Sequence, residues 1–185
     1  MSVTAGLDAD EVLVPKTGAI YSTTTGTLPT SASASLGSGW VGHGFALKDD
    51  GVVVDETDGV TVKEIRGFQN DALLELIRRG GKVTVAMTLV QVNEENVGLY
   101  HNDAPDGDGG VRMRPNYPRD RRKWVVDIIS GVRVIRHVIG SGEAAPSGAR
   151  KFLNDVQVGF PILITGFEDT DGVTGTTYYA ELVAS

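Results

Sequence analysis

QNDALLELIRRGGKVTV, residues 69–85, admits two incompatible readings, and the choice between them decides the fold. Asn70 or Asp71 could cap a short helix of good helix formers that ends at Gly80-Gly81. Alternatively, Gly80-Gly81 could be the two-residue turn of a β-hairpin. The helix would hold only about ten residues, marginal without strong packing. KVTVAMTLVQV after it is a strand pattern in want of a partner. Register favours the hairpin. With Arg79 facing Lys82, one face receives Leu74, Leu76 and Arg78 opposite Met87, Val85 and Val83, and is almost wholly apolar. The other receives Leu73, Glu75, Ile77 and Arg79 opposite Thr88, Ala86, Thr84 and Lys82, a mixed set. Agreement of one apolar face across both strands is what a half-buried hairpin requires.

The rest of the chain also reads as β. Upstream, residues 1–39 form a low-complexity approach: an acidic start with Asp8, Asp10 and Glu11, a short strand near Gly18–Tyr21, and the Ser/Ala/Gly-rich LPTSASASLGSG. That composition predicts an extended arm or loop, because it cannot build a core by itself. GWVGHGFAL from Gly39 onward reads as a strand, KDDGVVVDETDGV as a protruding loop or small hairpin, and TVKEIRGF as a strand re-entering the sheet. Downstream, NEENVGLYHN predicts one or two helical turns over about 93–100, with Asn93 as N-cap and Glu94-Glu95 in the first turn. A long Asp/Gly/Pro/Arg loop follows, then a second hairpin in RKWVVDIISGVRVIRHVIG with its turn at Ser130-Gly131. DVQVGFPILITGFED and GTTYYAELVAS close the sheet. With about eight strands, one short helix and no βαβ alternation, the expectation is one mainly β domain over 1–185.

Composition narrows the function. At 185 residues, 41% hydrophobic and 22% charged, the chain fits one packed core. No stretch approaches the ~20 apolar residues of a membrane span, and the first residues lack the pattern of a secretory signal. Zero cysteines exclude a disulfide framework, a thiolate nucleophile and a Cys-based zinc site. The simplest expectation is folding in a cytoplasm. A net charge of −7 argues against a general nucleic-acid binder.

Candidate chemistry is sparse. Gly37, Gly39 and Gly42 spell G-x-G-x-x-G but run into a strand rather than a helix, so a turn is the better reading. Asp103-Asp106-Asp108 and Asp169-Asp171 lack the spacing of a calcium loop and read as solvated turns. His43, His101 and His137 fall in three separate segments without metal-ligand spacing, and there is no nucleophile elbow. No catalytic, metal or cofactor site is expected, and the chain is not read as an enzyme. One charge pattern stands out: Arg112, Arg114, Arg119, Arg121, Arg122 and Lys123, opposed only by Asp120 and flanked by Tyr117 and Trp124. A second segment of opposite sign holds Asp49, Asp50, Asp55, Glu56 and Asp58. These two segments are candidates for loops that meet between subunits.

The order of segments resembles that of the major tail proteins, the tail tube subunits of long-tailed, non-contractile bacteriophages, particularly those of actinobacterial hosts. TGAIY precedes a Pro/Thr-rich stretch; GWVGHG leads to the acidic DDGV turn; EIRGFQNDALLELI runs into KVTVAMTLVQVNEENVGLYHN; WVVDIISGVRVIR and FPILITGFED follow. The resemblance covers most of 18–180. It implies a β-sandwich or barrel-like tail tube fold with a flanking helix and long loops. It also implies homo-hexameric rings stacked into a tube that passes DNA during ejection, and partners such as tape measure, tail tip and terminator proteins. The subunit would be made in the host cytoplasm and end in the virion tail, without membrane insertion. Residues 1–39, 48–64 and 101–123 would then serve ring-to-ring contacts. The mixed face, Leu73, Glu75, Ile77, Arg79, Lys82, Thr84, Ala86 and Thr88, would be the candidate inner wall. A negative lumen would repel DNA phosphates. Other classes consistent with the same residues are a tube protein of a contractile tail or injection machine, and a β-sandwich virion decoration or carbohydrate-binding module.

Overall fold

Alternating Val, Ile and Thr make strands the chain's dominant regular structure. The computed structural model describes residues 15–44, 46–47, 51–58, 61–66, 73–79, 82–113, 118–150, 152 and 158–181. In chain order they form β1 (Thr17–Thr23), β2 (Val41–Gly42), β3 (Val52–Asp58), β4 (Thr61–Arg66), β5 (Leu73–Arg79), β6 (Lys82–Leu89), α1 (Glu94–His101), β7 (Arg121–Ser130), β8 (Arg133–Pro146), β9 (Phe160–Gly166) and β10 (Gly175–Glu181). Every pairing is antiparallel. One eight-stranded sheet runs β2-β1-β7-β8-β9-β6-β3, with β10 also on β8, and β4-β5 form a second ladder. The mainly β fold with a single short helix agrees with the sequence reading. Asn93 does cap α1, its side chain accepting from Asn96 N, and Asn102 closes the helix in the left-handed region at φ 58°.

A bulge shapes the sheet. Arg122 pairs with Gly142 but Trp124 with Ile139, so β8 carries one extra residue at this point. Bulges bend and twist a strand. Before this one β8 pairs with β10, and after it with β9, so a single 14-residue strand serves both halves of the sheet. The curled sheet encloses a core of Ile20, Trp124, Val126, Ile139, Ala144, Val85, Met87, Leu89, Phe160, Ile162 and Ile164, closed at one end by Leu99 of α1. Gly142 leaves room for Trp124, whose Cδ1 would lie 2.9 Å from an added Cβ.

The hairpin with its turn at Gly80-Gly81 is corrected. β5 and β6 are both strands over the expected residues, but they do not pair with each other. β6 pairs with β3 on one side and β9 on the other, while β5 pairs with β4. Asp58↔Lys82 and Thr61↔Arg79 are each three residues apart on both strands, so the two ladders are in step. Beyond β3 and β6 in sequence, β4-β5 form a separate two-stranded excursion, and residues 59–60, 67–72 and 80–81 lie outside the described residues. The acidic VVVDETD, read as a protruding loop or small hairpin, is a strand paired with β6, and TVKEIR pairs with β5 rather than re-entering the main sheet. The physical reason lies in β6. Its Val85, Met87 and Leu89 meet Ile164, Ile162 and Phe160 on β9, and Val85 and Met87 also meet Val54 and Val52 on β3. The tight hairpin would have given it one apolar partner interrupted by Arg78. The second hairpin is as expected, except that its central residues are Gly131-Val132, with Gly131 at φ 59°. Glycine first in a two-residue loop is the II′ pattern.

Candidate assembly surfaces

The face of the sheet away from the core is treated differently in its two halves. Over β1, β7 and β8, the face away from the core is covered by residues 24–40, which run across it without strand or helix. Arg136 holds this segment, donating to Ser31 O and Ala34 O through Nη1. The same guanidinium is bidentate to Asp127, at 2.7 and 2.8 Å, with both side chains about 9% exposed. The hydrogen bonds to Asp127 hold the Arg136 pKa above its ordinary value, against the cost of burial. Lys123 Nζ donates to Gly26 O, and Thr23 Oγ1 to Gly39 O. Ala32 of the segment is itself buried. The Ser/Ala/Gly-rich stretch is thus pinned to the sheet, while residues 1–14 lie outside the described residues.

Over β3, β6, β9 and the end of β8, the corresponding face has no such cover among the described residues. Register places Val53, Ala86, Leu163 and Ala145 in one row and Asp55, Thr84, Thr165 and Glu143 in the next. Thr88 pairs with Pro161 beyond them. Val53 is 56% exposed; Ala86, Thr88, Pro161, Leu163 and Ala145 are half-buried, and Thr84 is buried. Of the expected inner-wall set, Thr84, Ala86 and Thr88 therefore share this face, and Lys82 lies exposed at its edge. Leu73, Glu75, Ile77 and Arg79 are on β5, paired along the backbone with Arg66, Ile65, Lys63 and Thr61. The two halves of that set are not cross-strand neighbours, because β5 pairs with β4 and β6 with β3 and β9.

The basic segment proves to be largely employed within the chain. Arg119 Nη1 donates to Leu99 O at 3.0 Å and Ala144 O at 2.9 Å, and Nη2 to Tyr100 O at 3.2 Å. It ties the last turn of α1 to β8, neutralising carbonyls left open at a helix end. Arg121 stacks over Phe167, 4.0 Å from the ring centre. Arg122 lies 3.9 Å from Glu95, and exposed Arg112 pairs with Asp103 at 3.0 Å. Arg114, Asp49 and Asp50 lie outside the described residues. On β3, Asp55 and Glu56 are exposed, and Asp58 pairs along the backbone with Lys82. β3 and β10 have no second neighbour in the sheet among the described residues, so both present open strand edges.

Helix α1 is fixed by a network that sequence reading missed. Asn96 is fully buried and its Nδ2 donates to His43 O and Gln91 O, at 3.0 and 2.9 Å. Its Oδ1 must therefore accept, and receives Nδ1–H of buried His43 at 2.9 Å. Nε2 of His43 is left as the acceptor for Ser22 Oγ at 2.8 Å. Burial holds this histidine below its usual range, although the Asn96 hydrogen bond opposes that. The imidazole is neutral, with Trp124 5.4 Å away. Only the Asn within a capped helix, three after the cap, could have hinted at this; a partner 53 residues away carries no local signal. The other histidines have separate partners, His137 with Thr177 and His101 with Arg150. Asp106 Oδ1 accepts from Asp108 N and Gly110 N, and Asp169 Oδ1 from Asp171 N and Val173 N, so both acidic loops are self-satisfied turns.

A curled sheet whose outer face is covered in one half and open in the other, with open strand edges and a two-stranded excursion, presents surfaces for association. No match is found among curated proteins. The profile of one family, described as phage tail tube protein, matches residues 5–182, nearly the whole chain. The chain therefore belongs to the phage tail tube protein family.

Proposed function

We propose that this chain assembles as hexameric rings stacked into the tube of a long, non-contractile tail of the type found on phages of actinobacterial hosts, and that the tube conducts DNA during ejection. Membership of the family gives it a structural, non-enzymatic place in the virion tail. The observation that carries the finer reading is the uncovered four-stranded face on β3, β6, β9 and β8, bounded by the free edge of β3. A face of threonine, alanine and short aliphatic side chains, with Asp55 and Glu143 as its charged groups in the paired rows, suits a channel wall. The paired rows on these four strands carry no cation; Lys82 at the margin and Arg121, next to Glu143 on β7, are the nearest ones to DNA phosphates. Joining of edges between subunits would close the sheet and remove the aggregation hazard of an open strand. We place Thr84, Ala86 and Thr88 on that wall, with Lys82 at its margin. Leu73, Glu75, Ile77 and Arg79 lie farther out on the excursion, where they reach the neighbouring ring. Asp49, Asp50, Asp55, Glu56 and Asp58, with Arg112 and Arg114, are the charged groups offered to adjacent copies. Arg119, Arg121, Arg122 and Lys123 serve the subunit's own fold. Tape measure, tail tip and terminator proteins would meet the tube at its lumen and ends. Negative-stain microscopy of concentrated protein tests this: hollow tubes with sixfold end views are expected, and closed dimers or trimers that never stack would refute it.

A further inference from the structure

Beyond the last turn of α1, Arg150 sits among three aromatic rings. Its guanidinium carbon is 4.4 Å from the ring centre of Phe160, 4.9 Å from Phe152 and 5.8 Å from Tyr100. Nη1 lies 3.4 Å from His101 Nε2, and Nε is buried without a hydrogen-bond partner. Among the described residues no carboxylate lies within salt-bridge distance of it. Burial, with Arg150 and Arg119 nearby, keeps His101 below its usual range, so it supplies a lone pair and no negative charge. Arg119 is already committed to three carbonyls. A half-buried guanidinium without a counterion is costly, and a carboxylate brought to it would make a charge-assisted bond in a partly desolvated setting. Phe152, 67% exposed, extends the site outward as an apolar shelf.

A matching carboxylate stands at the other end of the strands. Phe160, beneath Arg150, pairs with Leu89 of β6, whereas Asp55 of β3 pairs with Thr84, five residues and about 17 Å along the same strand. Beside Asp55, Glu56 is exposed, and its carboxylate accepts one long contact from Thr177 Oγ1 at 3.5 Å. Asp55 instead accepts from Thr57 N and Oγ1, both at 2.8 Å. We propose that Arg150 receives the Glu56 carboxylate of a second copy of this chain stacked end to end along the strand direction, with Phe152 shielding the contact. This rests on the tail tube reading and assigns its axial contact. One end meeting the opposite end is a heterologous contact that repeats without closing. Copies carrying a net −7 repel one another, so a cation with no carboxylate partner among the described residues decides where they can touch.

The test is charge reversal at both ends, read by sedimentation and electron microscopy. Arg150→Glu and Glu56→Arg should each lower tube yield at least tenfold while leaving the melting temperature of the subunit within a few degrees. Arg150→Met, which keeps the stem in its aromatic cage, should do the same. Mixing the two reversed variants should restore tubes, because each presents the other's missing charge. The double variant should form tubes alone yet fail to extend wild-type seeds. Single variants that assemble like wild type, with the same salt dependence, would overturn the contact and leave the tail tube reading intact. So would single variants that fold and fail to assemble but are not rescued by mixing. Wild-type protein that never forms rings or tubes would overturn both.

Discussion

Asn96 does three jobs at once: it is the residue bonded to the N-cap, the acceptor that fixes the His43 tautomer, and the donor to two strand-end carbonyls. Asn96→Ala strands those groups in a dry interior, and should cost roughly 2–4 kcal/mol in chemical denaturation, well above the ~1 kcal/mol of losing the cap through Asn93→Ala. His43 adds a pH dependence whose sign follows from its burial. The unfolded chain takes up the proton near the usual 6.5, while the folded imidazole resists it. Protons therefore bind the unfolded state first as pH falls, so stability is full above about 6.5 and declines below it. His137 and His101 are shifted in the same direction by burial and add to the slope. Urea midpoints between pH 7.5 and 5 should fall, and the His43→Gln variant should show a shallower decline. A flat profile in the wild-type protein would contradict the buried neutral assignment. The Arg136–Asp127 pair is the other residue-scale test. Asp127→Asn should cost roughly 3–5 kcal/mol by leaving a buried cation without its counter-charge, and should loosen the 24–40 segment, seen as proteolysis between Ser31 and Leu36.

At the scale of elements, the register of the excursion is the decisive point. Cysteines at Thr61 and Arg79 face each other across β4-β5 and should join as a disulfide on oxidation, whereas cysteines at Arg79 and Lys82 should not. The reverse result would reinstate a turn at the glycines. This is also where sequence reading stopped short, and the reason is physical. Period-two alternation reports that LLELIRR and KVTVAMTL are strands and that Val85 and Met87 face inward, because those are properties of single strands. It does not report which strand pairs with which. β6 chose β9, more than seventy positions away, and β3, because they supply Ile164, Ile162, Val54 and Val52 together. The helix, by contrast, was legible to its cap, since capping is written within four residues. The basic segment misled for a similar reason: charge density in the sequence cannot show that Arg119 is occupied by carbonyls 19–25 positions away. Arg150, isolated in GARKF, carried no local signal at all.

For the molecule as a whole, the covered and the uncovered half of the outer face make different predictions. If the β3-β6-β9-β8 face lines the channel, Ala86→Lys should leave subunit stability within about 0.5 kcal/mol, as expected for a half-exposed site. It should permit tubes, and give them affinity for DNA that wild-type tubes lack, falling steeply with salt. A filter-binding assay on assembled tubes would show it, and salt-independent or absent binding would place this face away from the lumen. The acidic balance of the chain, −7 overall, then has a use: a conduit that repels phosphates does not retain the genome it passes. The most direct measurement is a cryo-electron microscopy reconstruction of the assembled protein. The account predicts sixfold rings stacked into a hollow tube, with Thr84, Ala86 and Thr88 on the channel wall and residues 24–40 turned away from the channel. A map in which the subunits form a closed non-tubular oligomer, or a tube with residues 24–40 facing the channel, would contradict it.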